Sequence, residues 1–217
     1  MKTVAFVPIR LNSKRVVGKN LKLLGNKPLM CYILETLTYV NGIDEIYAYC
    51  SDEKIDRFLP KGVNFLKRPV ELDADDTLGE EIYEAFTKTI DSDIYILAHT
   101  TSPFIKPSTM ETALQKIKKD GYDSAFSVEK IQTFAWYKGN PLNYGLKNIP
   151  RTQTIEPIFI ETSEFYMFRS DVWKCLHQRV GKVPYMSIVD KIEGVDIDWP
   201  EDFAFAEQIL KEQRISL

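Results

Sequence analysis

Apolar and polar residues fall into blocks along this chain, and the blocks alternate between strand and helix patterns. Thr3-Val4-Ala5-Phe6-Val7-Pro8-Ile9 carries no charge and is rich in β-branched side chains, as a strand buried on both faces should be. Pro28 stands where a first helical residue would, and Leu29, Met30, Ile33, Leu34 and Leu37 follow at helical spacing until Asn41-Gly42. Residues 45–50 predict a second strand, 53–59 a short helix and 63–66 a third strand. Then come a helix over 78–90 and a strongly apolar strand over 94–98. Ser108 and Glu111 make a capping-box pattern for a helix that ends near Lys119, before Gly121. Further strands are expected over 124–128, 159–168 and, at a sheet edge, 185–188, with a helix over 171–177. Val195-Asp196-Ile197-Asp198 has the alternation of a strand end and leads through Trp199-Pro200 into a closing helix over 201–211. This order predicts an α/β fold: a mostly parallel, Rossmann-like sheet with helices on both faces.

Residues 132–157 break the pattern. Phe134, Trp136, Tyr137 and Tyr144 are interleaved with Gly139, Pro141, Gly145 and Pro150 without a regular period. Such a segment is an excursion from the sheet: a lid, a locally packed loop, or an arm laid on a second subunit.

Composition narrows the classes. With 217 residues, 44% of them apolar, the chain suits one domain over 1–217 with a full core. A net charge of −3 gives no general case for binding nucleic acid or a membrane, and no apolar run approaches a membrane span. The start, Met1-Lys2 and then a strand, does not resemble a signal peptide. Cys31, Cys50 and Cys175 are odd in number and scattered, which suggests buried thiols in a reducing, cytoplasmic setting. His177, on an amphipathic stretch, is expected to be structural.

Any basic site must therefore be local, and one is present. Directly after the first strand come Arg10, Asn12, Ser13, Lys14, Arg15, Gly18, Lys19 and Asn20. Ligands of open α/β sheets bind outside the carboxyl ends of the strands, so donors concentrated here suggest an anion site. The loop is not a Walker A motif. Far along the chain, Asp196 and Asp198 stand one residue apart. Mg²⁺ in nucleotide enzymes takes one or two carboxylates plus phosphate oxygens and waters, so the pair is a candidate metal site. Asp198-Trp199-Pro200-Glu201 also fits a helix start, with Asp198 as a simple cap.

Four stretches together are similar to the acylneuraminate cytidylyltransferases. They are the loop at residues 10–20, Arg68-Pro69-Val70-Glu71-Leu72, Thr101-Ser102-Pro103, and the run from Val195 through Asp196-Ile197-Asp198-Trp199-Pro200-Glu201-Asp202 to Phe203, in the family's order. The resemblance covers essentially the whole chain and implies a nucleotidyltransferase fold, CTP as substrate, an acidic sialic acid-like sugar as acceptor, and a homodimer with 132–157 as its arm. Carried over by position, Arg10, Ser13, Lys19 and Asn20 would hold the triphosphate, Arg68 would lie beside the nucleotide, and Asp196 and Asp198 would bind Mg²⁺; Asn12 and Lys14, in the same loop, are further candidate nucleotide contacts. Acceptor contacts would fall to His99, Thr101, Ser102, Arg151 and Glu161, with Arg151 and Lys106 as candidate cations for the sugar carboxylate.

The chain departs from the family on the acceptor side. His99-Thr100-Thr101-Ser102-Pro103-Phe104-Ile105 stands where the family commonly has Gln-Pro-Thr-Ser-Pro-Leu-Arg. Glu161-Thr162-Ser163-Glu164 replaces an Arg-Pro-Asn-Gly run, and Leu78, Gly79 and Glu80 replace serines after Asp76-Thr77. Those glutamates suggest a modified nonulosonic acid rather than plain sialic acid. His99 is read either as a hydrogen-bond partner of the acceptor or as a residue closing a strand end. Transfer of this kind rests on positioning and charge neutralisation, with Arg10, Lys14 and Lys19 facing the leaving pyrophosphate. The residues name no general base. Three rivals remain: a glycosyltransferase with an Asp-x-Asp metal motif, a sugar nucleotidyltransferase using another nucleotide, and a catalytically silent nucleotide-binding protein.

Overall fold

The computed structural model describes residues 1–215. Its first strand, β1 (Thr3–Ile9), is an interior strand of a seven-stranded sheet. Val4 and Phe6 enter one core, and Ala5, Val7 and Ile9 the other, which is why the run carries no polar alternation. A ribbon of β2 (Leu23–Leu24) and β3 (Lys27–Pro28) delivers the chain to α1 (Leu29–Thr38). Pro28 precedes that helix rather than opening it, because its backbone is still extended at ψ 143°. The chain continues through β4 (Glu45–Cys50), β5 (Asn64–Lys67), α2 (Gly79–Thr89), β6 (Ile94–Ala98), α3 (Pro107–Lys119) and β7 (Ser124–Ile131). Between β4 and β5, Glu53–Phe58 is a 3-10 helix, started by the Asp52 carboxylate accepting from Lys54 N–H. Within 132–157, β8 (Trp136–Tyr137) and β9 (Asn140–Pro141) pair as a small ribbon. Then follow β10 (Ile158–Arg169), α4 (Ser170–Leu176), β11 (Pro184–Ile188) and α5 (Pro200–Ile215).

The strand order is β11-β7-β10-β6-β1-β4-β5, and β10 runs antiparallel to β6 and β7 whereas the other pairings are parallel. Helices α1 and α3 pack on one face through Met30, Ile33, Leu34, Met110 and Leu114, and α2 and α4 on the other through Tyr83, Phe86 and Trp173. Phe86 stacks on Phe6 with ring centroids 4.1 Å apart. Burial of each such ring contributes on the order of 1.5–3 kcal/mol, so the mostly parallel, two-faced sheet expected from the sequence is secured by its own pattern. A third, smaller core of Val16, Leu24, Leu29, Ile197, Phe203 and Ala206 fastens α5 beneath the loop that follows β1.

This topology creates the site. From β1 the chain steps outward to β4 and β5, then returns through α2 to β6 on the other flank of β1. Reversal of strand order opens a crevice outside the carboxyl ends of β1 and β6. Three local readings change. Helix α3 starts at Pro107, so Ser108 is not its cap; Glu193 is, accepting from Lys106 N–H at 3.0 Å and from the Thr109 hydroxyl at 2.6 Å. Glu111 instead accepts from the Asn41 backbone and side chain. Residues 195–198 are not a sheet strand, although Ile197 N–H donates to Thr101 O at 2.9 Å. Among the thiols, Cys31 and Cys50 are buried and Cys175 is exposed. Burial on the inner side of α1 pushes the Cys31 thiol up to about 11, chiefly by desolvation.

Candidate active site

The loop after β1 is shaped by two residues. Gly18 adopts left-handed φ 64° at the start of the 3-10 turn Lys19–Leu21, and Leu21 and Lys22 N–H groups return to its carbonyl. Asn20 is buried and donates from Nδ2 to Arg10 O at 2.7 Å. Asn20 therefore closes the loop from within, where a triphosphate contact was expected. Lys19, its side chain 12% exposed, donates to Ile197 O at 2.7 Å and reaches Asp198 Oδ1 at 3.2 Å. Arg15 binds the other carboxylate oxygen at 2.7 Å and lies over the Trp199 ring. The phosphate-type cations and the aspartate pair, about 180 residues apart in sequence, thus meet at one point.

Arg10 and Lys14 turn the other way. Both pair with Asp75, and Asn12 Nδ2 donates to Asp73 O at 3.3 Å, with Ser13 partly exposed between them. The Lys14 ammonium holds the Asp75 carboxyl below its ordinary range, helped by the charge of Arg10. Arg68 is only 1% exposed and binds Asp73, whose second oxygen takes the Ser51 hydroxyl. Arg68 thus lies beneath the acidic turn instead of standing open beside a nucleotide. Glu71, Asp73, Asp75 and Asp76 stand close together in the sequence; that Asp75 is the counter-ion of the basic loop depends on a fold contact across about sixty residues.

Asp196 and Asp198 flank buried Ile197, so both carboxylates face away from the small core. Asp198 does not cap α5: Asp202 accepts from the N–H groups of Asp198 at 3.0 Å and Trp199 at 2.7 Å. Asp196 has one side open to solvent. Desolvation by the atoms packed on its other side holds its pKa above the ordinary value, opposed by the Thr101 hydroxyl and reinforced by Asp198. A carboxylate in that condition gains from a cation. Among the described residues no third carboxylate, His or Cys completes a cage. A two-carboxylate donor set suits Mg²⁺ that takes its remaining ligands from phosphate and water.

Several of the residues expected on the acceptor side lie at a bulge. The register of β10 against β7 shifts between Glu161 and Tyr166, and Ser163 takes φ 63°. This irregularity re-aims the backbone next to the end of β6, as bulges beside sites do. His99 N–H donates to Glu164 O at 3.2 Å, and its Nδ1 lies 2.5 Å from Ser163 O. Glu161 accepts from Tyr166 OH at 2.7 Å and sits 3.8 Å from Arg179, whose guanidinium lies 3.7 Å above the Tyr166 ring. Desolvation pushes the Tyr166 phenol up to about 12. Glu164 is fully buried, bound by Thr162, and its own pKa is raised by desolvation. It cannot face an acceptor, so only Glu161 remains of the two glutamates.

Other expected acceptor contacts are not assembled here. Ser102 is fully buried, while Thr101 bridges to the aspartate segment. Lys106 is bound to Asp190 at 2.5 Å and to Glu193, so it is no free cation for a sugar carboxylate. Arg151 is exposed in the segment 132–157, where its carbonyl accepts from Thr154 and Ile155. The cation beside the bulge is Arg179. No local pattern marked it, since it sits in an irregular stretch between α4 and β11. A cavity of about 450 Å³ opens next to it, lined among others by Leu78, Glu80, Tyr83 and His177. His177 follows α4 as a left-handed capping residue rather than lying within the helix.

Comparison with known proteins bears on the family and the fold. The chain is 27% identical over 211 residues to the N-acylneuraminate cytidylyltransferase of Oncorhynchus mykiss, covering 90% of this chain and 48% of that one. It is 24% identical over 230 residues to the CMP-N,N'-diacetyllegionaminic acid synthase of Legionella pneumophila, covering 97% of each. It spans about half the length of the vertebrate relatives it matches. In fold it is similar to a CMP:2-keto-3-deoxy-manno-octonic acid synthetase solved with CTP, at TM-score 0.73 and 17% identity over 98% of this chain and 100% of that one. The family model described as cytidylyltransferase matches residues 4–217, and the chain belongs to that family.

Proposed function

We propose that this chain transfers CMP from CTP to a hydroxyl of an acidic, sialic acid-like sugar, releasing pyrophosphate. One observation carries the reading: Lys19 and Arg15 converge on Asp198 at the mouth between β1 and β6, joining an anion-binding loop to a carboxylate pair. Lys19 and Arg15 would hold the phosphates nearest the aspartates, while Arg10 and Lys14 would offset charge on the leaving pyrophosphate. Asp196 and Asp198 would hold Mg²⁺, which when bound supplies further neutralisation of the phosphate oxygens. Arg10 and Lys14 already carry a carboxylate, Asp75, in this structure, so nucleotide binding exchanges one anion for another.

On the acceptor side, Arg179 replaces Lys106 and Arg151 as the cation for the sugar carboxylate. It is fixed by Tyr166 beneath it and by Tyr83 OH at 3.1 Å, and it borders the cavity. Pairing of Glu161 with Tyr166 and Arg179 relieves the repulsion that this glutamate would otherwise exert on an acidic sugar. The named relatives act on N-acylneuraminate and N,N'-diacetyllegionaminate, and a nine-carbon nonulosonic acid is the acceptor class proposed here. Pyrophosphate release measured over a panel of nucleotides and acidic sugars tests the reading; release with CTP and a nonulosonic acid is expected, and none with neutral sugars. A homodimer through 132–157 is proposed on its exposed Trp136, Tyr137, Leu146 and Ile149, and sedimentation of the wild type against Trp136→Ser checks it.

A further inference from the structure

The transfer needs somewhere for the proton of the attacking hydroxyl to go. The aspartate pair is engaged by Lys19, Arg15 and Thr101, and Glu164 is sealed from solvent. His99 follows β6 at its carboxyl end, half-buried beside the bulge and Arg179. Its Nδ1 lies 2.5 Å from the Ser163 carbonyl, which can only accept, so Nδ1 carries the hydrogen. The neutral ring is therefore held in the tautomer whose Nε2 has a lone pair, and no hydrogen bond reaches Nε2 from the described residues. The Tyr166 ring meets the imidazole edge-on at 6.3 Å and fixes its plane. A carbonyl that sets the tautomer is how proteins prepare a histidine as a base.

We propose, resting on the transferase reading above, that His99 is its general base: Nε2 accepts the acceptor hydroxyl's proton as that oxygen bonds to the α-phosphorus of CTP. The bond from the α-phosphorus to the bridging oxygen breaks as the new one forms, and its electron pair leaves with pyrophosphate. The proton stays on the imidazolium until product departs. The charged and titratable groups around His99 are Arg179, Tyr166, Glu161 and Glu164. Burial and the Arg179 charge lower the imidazole pKa against the opposing pull of the Ser163 carbonyl, so the base is neutral and competent at pH 7.

The test uses the full chain with CTP, Mg²⁺ and the best acceptor. His99→Asn and His99→Gln should lower kcat by about 100-fold or more while the KM for CTP changes little, and the acidic fall in kcat should disappear. A kcat within about threefold of wild type, with the acid limb unchanged, overturns the assignment. Should both variants fail to fold, nitrogen-15 NMR of the wild-type imidazole decides: hydrogen on Nδ1 and a bare Nε2 at pH 8 are expected, and a hydrogen on Nε2 refutes it. A wild type that releases no pyrophosphate with any acidic sugar defeats the transferase reading itself, whereas active His99 variants defeat this inference alone.

Discussion

Removing Asp73 isolates a buried cation, and the consequence can be worked out. The Arg68 side chain is 1% exposed, Asp73 is 21% exposed, and the Arg68 Nε has no other partner among the described residues. Breaking a buried pair from one side costs about 3–5 kcal/mol, and the partial exposure of Asp73 puts this case at the lower end. Ser51 loses its acceptor as well, adding about 1 kcal/mol. Asp73→Ala should therefore destabilise the fold by roughly 4 kcal/mol, or about 8–16 °C in Tm for a chain of this size. Asp73→Asn, which keeps acceptor oxygen without charge, should lose about half of that. The double variant Arg68→Met/Asp73→Ala should recover much of the loss, because no unpaired charge remains. Calorimetry of the four proteins measures this directly. A Tm drop under about 2 °C for Asp73→Ala, or a double variant no better than the single, would refute the buried-pair argument.

Three further outcomes are expected. Asp75→Asn frees Arg10 and Lys14, so CTP should bind severalfold tighter at low salt by calorimetric titration, with the advantage shrinking as salt rises; unchanged affinity would show that Asp75 does not compete. Burial raises the folded-state pKa of Glu164, so between its unfolded pKa and that raised value the folded state binds the extra proton and wild-type stability falls as pH rises. Glu164→Gln should flatten that dependence and be the more stable protein at pH 8; a parallel pair of Tm-versus-pH curves would contradict it. Arg179→Gln should raise the KM for the acidic sugar at least tenfold and leave the KM for CTP unchanged, and equal effects on both would remove Arg179 from the acceptor side.

The parts legible in the sequence were those governed by local period. The uncharged run at Thr3–Ile9 announced a strand buried on both faces, and the helical spacing from Leu29 to Leu37 announced α1. Period misled at Val195-Asp196-Ile197-Asp198, where alternation came from burying Ile197 in the small core rather than from a sheet position. It misled again at Ser108 and Glu111, because the true cap, Glu193, arrives from more than eighty residues away. The basic loop and the aspartate pair were visible as residue types, but their mutual contact was not. Arg179 had no local signature, and Asp75 was visible only as one acid of an acidic turn; the bulge and the folded turn give them a role.

If Asp196 and Asp198 hold the metal for nucleotidyl transfer, Mg²⁺-dependent pyrophosphate release from CTP with an acidic sugar depends on both carboxylates. Asp202 already supplies the helix cap, so Asp198→Asn cannot act through capping. Asp196→Asn and Asp198→Asn should each lower release by about 100-fold or more, with the fold intact by circular dichroism. Near-normal release in both variants would remove the metal role of the pair, and equal release from CTP, UTP and ATP in the wild type would remove the selectivity for CTP.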